Sequence, residues 1–417
     1  MIKNQRGGKI IDSGTYGCIN YPALPCWSEI RKDSDEFNGK FVSKIMTKDE
    51  SNYEINNIKE IKKLDIQDIF TLKNMKVCTP KEFNEIVDNL SKCNIVFNKD
   101  IEKKDCKGKN CKYTHTLKDN YSIILMPKLT YTLYDIMIKI IDDGGISKKN
   151  INDGLDIVLN LFYPCAYLSS KSFLHYDIKE NNIGFANNKP VLFDFGLSNK
   201  FIAGKKLIYD PSRRISQSMD LYMYQKTSAC LLDKFSIDLD KLSDKTFTSK
   251  GKVGKDNYDK MVKWIKNFED TNYYIDVKSL AGVFGLNKDE YIKKTIDTLM
   301  VIYGYCLPTF DDNEKKWLAK KILFTIDSYA LGITLLFYFN VIKEHISKEL
   351  KNDLLEIIKY SCHYNILERF WPIQVVELTD KMIKKHHLSE KYKVRPYKIP
   401  KMLDIPQRIK EVMQIIK

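Results

Sequence analysis

The alternation of apolar and polar positions is sharpest near the start of the chain. Phe41 to Met46, F-V-S-K-I-M, alternates with period two and predicts a strand on which Lys44 shares a face with Met46. Before it, Lys9 to Ile19, K-I-I-D-S-G-T-Y-G-C-I, predicts strand, tight turn and strand. The period then lengthens. Between Asp49 and Leu64 the residues Ile55, Ile58, Ile61 and Leu64 recur on one side, which predicts a helix. Tyr121 to Met126, Y-S-I-I-L-M, is a short continuous apolar run and predicts a buried strand.

Downstream the pattern is helical. Thr132 to Ile141 predicts a helix stopped by Gly144-Gly145, and Ile151 to Ser170 predicts a long one. Thr325 to Phe339, Leu355 to Tyr360 and Val375 to Ile383 continue the series. Asp404-Ile405-Pro406 offers an N-cap and an early proline for a last helix ending near Ile416. Met261, Trp264, Ile265 and Phe268 fit another helix face, as do Ile292, Ile296, Leu299 and Tyr303. Two stretches break the pattern. Residues from about Asn74 to Asn120 read as an insertion rich in Lys and Cys, and Ser243 to Lys255 holds little apolar surface to bury. No internal repeat is visible.

Composition narrows the class. A chain of 417 residues with 43% hydrophobic content has room for two or three globular units. The best apolar run, Tyr329 to Phe339, is too short to span a bilayer, and Met1 to Lys9 is polar and basic with no apolar core behind it. The expectation is a soluble intracellular protein with no membrane partner. The net charge is +14, but the lysines are spread along the chain rather than gathered in a tract with interleaved aromatics. The expectation is therefore no dedicated nucleic-acid function, with long-range attraction for acidic partners. The ten cysteines are scattered, so in a reducing compartment most are expected as buried thiols. Cys106, Cys111 and His115, with Cys78 and Cys93 upstream, have the residue types of a zinc site, but C-x4-C followed by His is not a strong finger spacing.

The chemistry concentrates between Phe173 and Gly196. This stretch reads F-L-H-Y-D-I-K-E-N-N-I-G-F and, after a short gap, V-L-F-D-F-G. Asp177 is a carboxylate that suits the acceptance of a hydroxyl proton. Asn182 and Asp194 are oxygen ligands for a hard divalent cation, and Lys179 suits a place beside a transferring phosphate. Near the start of the chain, Gly14 and Gly17 remove side chains where backbone must approach phosphates. Asp12 stands where G-x-G-x-x-G has its first glycine.

In their order and spacing these motifs resemble those of the eukaryotic-type serine/threonine protein kinases. The run G-C-I-N-Y-P-A-L-P-C followed by V-S-K-I is similar to kinases of large DNA viruses of the mimivirus kind, as is the Lys- and Asn-rich composition. The resemblance implies an α+β, bilobal fold. Residues 1–128 would form a small β-rich N-lobe with an insert at about 74–120. Residues 129–417 would form a large helical C-lobe with a helical insert at about 201–322. It implies ATP and Mg²⁺, Ser/Thr hydroxyls of protein substrates as acceptors, a monomer, and a place in the cytoplasm or, for a virus, in the host cytoplasm or virion. Asp177 and Lys179 would be catalytic, and Asn182 and Asp194 would hold the metal. ATP would meet Ile11, Gly14, Gly17 and Ile19 of the glycine loop, Val42 on the adenine, Lys44 on the phosphates, Met126 as gatekeeper and Lys128 in a hinge of Pro127, Lys128 and Leu129. Glu54 would orient Lys44, because its i+4 neighbour Ile58 is apolar, whereas Glu50 has Glu54 there and Glu60 lies further from the strand. His175, Phe195 and Ile58 would stack, anchored by Asp327.

The chain also departs from the family. Gly184 stands where a larger residue usually floors the adenine. No A-P-E motif follows D-F-G, and Tyr224 to Ala229 is the nearest candidate. Arg369 resembles the late arginine that normally pairs with the A-P-E glutamate. Tyr176 replaces the arginine that usually precedes the catalytic aspartate, so activity is expected without activation-loop phosphorylation. A pseudokinase acting as a binding module and a small-molecule kinase of similar fold are the alternative readings.

Overall fold

The computed structural model describes residues 9–13, 17–24, 39–72, 75–79, 93, 106–107, 110–111, 121–142, 146–200, 277–299, 311–388, 395–400 and 404–416. It is an α+β structure with a small antiparallel sheet and many helices. The chain divides into two compact units, Met1–Tyr131 with Gly184–Leu197, and Thr132–Ile183 with Ser198–Lys417. The division falls three residues past the expected lobe boundary, and the D-F-G stretch returns to the first unit.

The first unit is built on a five-stranded sheet of β1 (Lys9–Ser13), β2 (Cys18–Tyr21), β3 (Phe41–Thr47), β4 (Lys76–Cys78) and β7 (Tyr121–Pro127), in the order β1-β2-β3-β7-β4. The short pair β5 (Cys106–Lys107) and β6 (Asn110–Cys111) forms a separate sheet. Period-two alternation sorts side chains onto two faces of the large sheet. On one face Cys18, Leu24, Ile45, Tyr121, Ile123 and Leu125 pack with Cys93. On the other, Val42, Met46, Ile124 and Met126 pack with Leu72, Ala186 and Val191. Lys44 lies between Val42 and Met46 on β3 and therefore enters this second face, 8% exposed.

Helix α1 (Lys48–Leu64) follows β3 without a loop because Thr47 caps it, its hydroxyl accepting the Glu50 N–H. At the other end Asp65 stops it. The Asp65 carboxylate accepts the backbone N–H groups of Ile69, Phe70 and Thr71, and the Thr71 hydroxyl. This ties the turn so that the Phe70 carbonyl accepts the Leu192 N–H at 2.8 Å. Leu192 ends strand β11 (Lys189–Leu192), which pairs with β10 (Ile183–Ala186) and leads into D-F-G. Near the hairpin, strand β8 (Tyr131–Thr132) brings the Tyr131 ring onto Phe185, with centroids 5.5 Å apart.

The cysteines depart from the expectation of thiols. Cys18 and Cys93 form a disulfide, and Cys78 is disulfide-bonded as well. The physical reason is that β2 turns Cys18 to the face where Cys93 packs. Cys165 and Cys362 are free, buried thiols.

The second unit is helical. Thr132 and Asp135 cap each other at the start of α2 (Leu133–Asp142), and Ser147 caps α3 (Lys148–Ser170), the long helix expected from Ile151. Strand β9 (Phe173–Leu174) follows and pairs with β12 (Asn199–Lys200). Of the expected insert, α4 (Val277–Val283), α5 (Lys288–Leu299) and most of α6 (Asp312–Phe324) are described. The run around Met261 to Phe268, Ser243 to Lys255, and Tyr224 to Ala229 lie outside the described residues, as does Tyr303.

Helix α7 (Ile326–Ile342) is apolar almost all round, and it is correspondingly buried. It packs on α3, where Tyr338 donates its hydroxyl to the carbonyls of Asn150 and Ile151. Helices α8 (Lys348–Ser361) and α9 (Pro372–Lys385) complete this layer. The last helix, α10 (Gln407–Ile416), begins three residues after Asp404. Pro406 rather than Asp404 holds its cap, its carbonyl accepting the Lys410 N–H. Among the described residues no helix is long and apolar enough to cross a membrane.

Candidate active site

In the first unit three charged side chains meet. Lys44 Nζ donates to Glu54 Oε2 at 2.8 Å and to Asp194 Oδ1 at 2.7 Å. The strand supplies the cation, the helix that follows it supplies one carboxylate, and D-F-G supplies the other. Glu54 is 1% exposed, whereas the Asp194 side chain is 38% exposed. Burial works against the charge on Lys44, but the carboxylates of Asp194 and Glu54 outweigh it and hold its pKa above the ordinary lysine range. Burial pushes the Glu54 carboxyl up, against the pull of Lys44. The cation is thus fixed, and one of its two partners faces solvent.

Backbone geometry aims Asp194. Its φ is 59°, in the left-handed region, which Asp tolerates better than most residues. Phe195 then turns inward, 2% exposed, and opens a short 3-10 turn over Phe195–Leu197. The Asn57 amide of α1 donates to the Phe195 carbonyl at 3.1 Å. Gly17 lies against Lys44. A Cβ there would come within 2.9 Å of the Ile45 carbonyl and 3.2 Å of the Lys44 stem, so the close approach requires glycine.

In the second unit Asp177, Lys179 and Asn182 form a knot. Asn182 donates its amide to the Asp177 carbonyl at 2.8 Å and to Asp177 Oδ2 at 2.7 Å. Lys179 Nζ lies 3.0 Å from the same Oδ2. The segment before them is held from below. The Asp327 carboxylate, fully buried, accepts the N–H groups of His175 and Tyr176 at 2.7 and 2.9 Å. Burial raises the Asp327 pKa to about 6, partly offset by those two bonds. Tyr176 has φ 69°, a strained value for a bulky residue, and the two bonds to Asp327 hold it there.

The other residues expected at a nucleotide site are spread over the first unit. Ile19, Val42, Met126 and Leu129 belong to one apolar cluster with Ala186. Ile11 is 58% exposed on β1. Lys128 is engaged by the fold, since its N–H donates to the Lys40 carbonyl at 2.9 Å and its ammonium lies 4.0 Å from the centre of the Tyr21 ring. Gly14 and His115 lie outside the described residues. Cys106 and Cys111 are partners in the register of β5 and β6. Asn57 and Ala186 are additions that the sequence reading missed. Asn57 carries a signal, a polar side chain three residues after Glu54 and so on the same side of the helix.

The donors suit Mg²⁺, which takes carboxylate and amide oxygens. With both Asn182 N–H contacts directed to Asp177, the amide oxygen is the atom that suits a cation. Among the described residues no group of three or more His, Cys, Asp or Glu side chains gathers into a protein-only cage. Mg²⁺ with phosphates bound needs only one or two protein carboxylates, and the partly exposed Asp194 carboxylate of the first unit is a donor of that kind. Arg369, 2% exposed, donates from Nε and Nη2 to the His363 carbonyl and lies over the Tyr329 ring. Compared with known proteins, the chain matches no family model and no curated protein.

Proposed function

We propose that this chain is a protein kinase of bilobal fold that transfers the γ-phosphoryl group of ATP to Ser or Thr hydroxyls of proteins. The observation that carries the reading is the buried Lys44, held at once by Glu54 and by the D-F-G aspartate. A buried lysine fixed between two carboxylates stays charged and positioned, as a group that aligns phosphates must. The Asp177, Lys179 and Asn182 knot supports the same reading with the remaining groups.

The residues divide the work as follows. Gly17 leaves the backbone bare where phosphates approach, and Lys44 orients their oxygens. Val42, Met126, Leu129 and Ala186 offer an apolar surface to a base. Asp194 and Asn182 would hold Mg²⁺, which when bound neutralises phosphate charge. Asp177 orients the acceptor hydroxyl and takes its proton on a carboxylate oxygen. Lys179 offsets charge on the moving phosphoryl group. Transfer passes through a loose transition state, so this positioning supplies most of the catalysis. A lysine two residues past the catalytic aspartate is the serine/threonine pattern. Protein incubated with γ-labelled ATP, Mg²⁺ and a generic protein acceptor should place label on Ser and Thr. Label confined to a small molecule, or none above background, would refute the proposal.

A further inference from the structure

We propose that Asn57 is a positioning residue that fixes the D-F-G turn and thereby sets where the Asp194 carboxylate points. The inference rests on the kinase reading for its functional consequence, though not for its geometry. Glu54 and Asn57 are three residues apart on α1 and share a face. Glu54 takes the Lys44 ammonium at 2.8 Å, and Asn57 donates to the Phe195 carbonyl at 3.1 Å. One helix face therefore touches both the cation that holds Asp194 and the Phe195–Gly196 peptide, the second after Asp194.

The turn around Asp194 needs a hold. Asp194 is left-handed, with φ 59°, and a left-handed aspartate is disfavoured unless its surroundings fix it. Upstream, the Leu192 N–H is bonded to the Phe70 carbonyl in the turn tied by Asp65. Downstream, the Asn57 amide is bonded to the carbonyl of the peptide joining Phe195 and Gly196. The turn is thus gripped on both sides by the two ends of one structure, α1 and the turn that closes it. Gly196 lies beside the same carboxylates. A Cβ there would sit 3.4 Å from both Asp194 Oδ1 and Glu54 Oε2. A shift of α1 moves Lys44's partner and the D-F-G peptide together, so Asn57 couples the helix to the metal-binding aspartate.

The test compares Asn57→Leu, Asn57→Asp and Asn57→His with Asn56→Ala, which changes an exposed neighbour. Leu removes the donor, Asp replaces it with an acceptor facing a carbonyl, and His restores an N–H. The direct readout is amide hydrogen exchange of the segment 193–198 in the full chain, which needs no activity. Losing one such bond should speed exchange there about fivefold, the factor equivalent to roughly 1 kcal/mol. Asp should exceed Leu, His should recover part of the loss, and Asn56→Ala should match the parent. The Mg²⁺ concentration giving half-maximal ATP turnover should rise about fivefold in Asn57→Leu, with the KM for ATP at saturating Mg²⁺ changed less. Unchanged exchange in Asn57→Leu, or the same change in Asn56→Ala, would overturn the inference. Faster exchange in a protein whose parent transfers no phosphate would leave the hold on the turn standing and remove the kinase reading instead.

Discussion

Replacing Asp327 by asparagine should change the pH dependence of stability more than the stability itself. The buried carboxylate accepts two backbone N–H groups, from His175 and Tyr176. Its folded pKa is raised from 3.8 to about 6, chiefly by burial. The folded protein therefore binds this proton more tightly than the unfolded chain. The stability so contributed is fully present below pH 3.8 and is lost as pH rises through about 6. A shift of this size is worth about 3 kcal/mol. His363 works in the opposite direction. Burial, then the charges of Arg369 and Lys359, depress its pKa from 6.5 to about 4. Its contribution is present above pH 6.5 and is lost as pH falls toward about 4, again about 3 kcal/mol. As far as these two groups go, the slopes nearly cancel over the shared window. Asn resembles the neutral acid and has no slope, but it leaves one N–H without its acceptor, at a cost of about 1–3 kcal/mol. Near pH 7 that loss and the relief of a buried charge roughly offset. Urea unfolding at several pH values checks this, with ΔG taken from midpoint and slope. Asp327→Asn should uncover the His363 limb, with stability rising by about 3 kcal/mol from pH 4 to 6.5 relative to the parent. A variant whose curve runs parallel to the parent would refute the reasoning. Asp327→Ala, which orphans both N–H groups, should lose several kcal/mol at every pH.

Cys18→Ser, which removes the Cys18–Cys93 disulfide spanning 75 residues, should lower stability by about 4.5 kcal/mol on the chain-entropy argument, read as a fall in Tm against the oxidised parent. Lys321 is 2% exposed, donates to the Arg369 carbonyl and lies 4.6 Å from the Trp371 ring centre, and burial then Arg369 push its pKa well below 10.5. A lysine with a depressed folded pKa makes stability rise as pH climbs toward 10.5, so Lys321→Met should flatten the alkaline limb of the unfolding curve. Gly154→Ala would set a Cβ 2.2 Å from Tyr338 Cζ and should cost about 1–3 kcal/mol by thermal melt. Gly282→Ala meets nothing within 4 Å and serves as the neutral control.

Much of the framework was legible because it depends on local period. Alternation at Phe41 to Met46 and the 3.6-residue stripe from Ile55 to Leu64 are properties of short segments, and they settle which faces Lys44 and Glu54 share. Motif spacing likewise brought Asp177, Lys179 and Asn182 into one frame, since a tight loop leaves few ways to place them. What was not legible depends on remote chain. The Cys18 partner lies 75 residues away, and no local pattern chooses among ten cysteines. The Lys128 N–H is taken by Lys40, whose carbonyl is presented by the left-handed turn at Gly39. The acceptor of Asn57 is a backbone carbonyl 138 positions on, so its spacing from Glu54 shows the shared helix face but not the partner. The last helix begins at Gln407, directly after Pro406, whose fixed φ suits a helix entrance.

If Asp177 serves phosphoryl transfer as proposed, removing its carboxylate should strike the transfer step itself. The most direct test is a single-turnover measurement on Asp177→Asn beside the parent, with ATP binding recorded on the same samples. Asn keeps the volume, and it keeps an oxygen to accept from Asn182, whose amide now reaches Asp177 Oδ2 at 2.7 Å. The variant should stay folded, bind ATP with Mg²⁺ within a few-fold of the parent, and lose transfer to Ser or Thr by about 100-fold or more, the usual contribution of a positioned base. Transfer near the parent rate, with binding intact, would contradict the proposal.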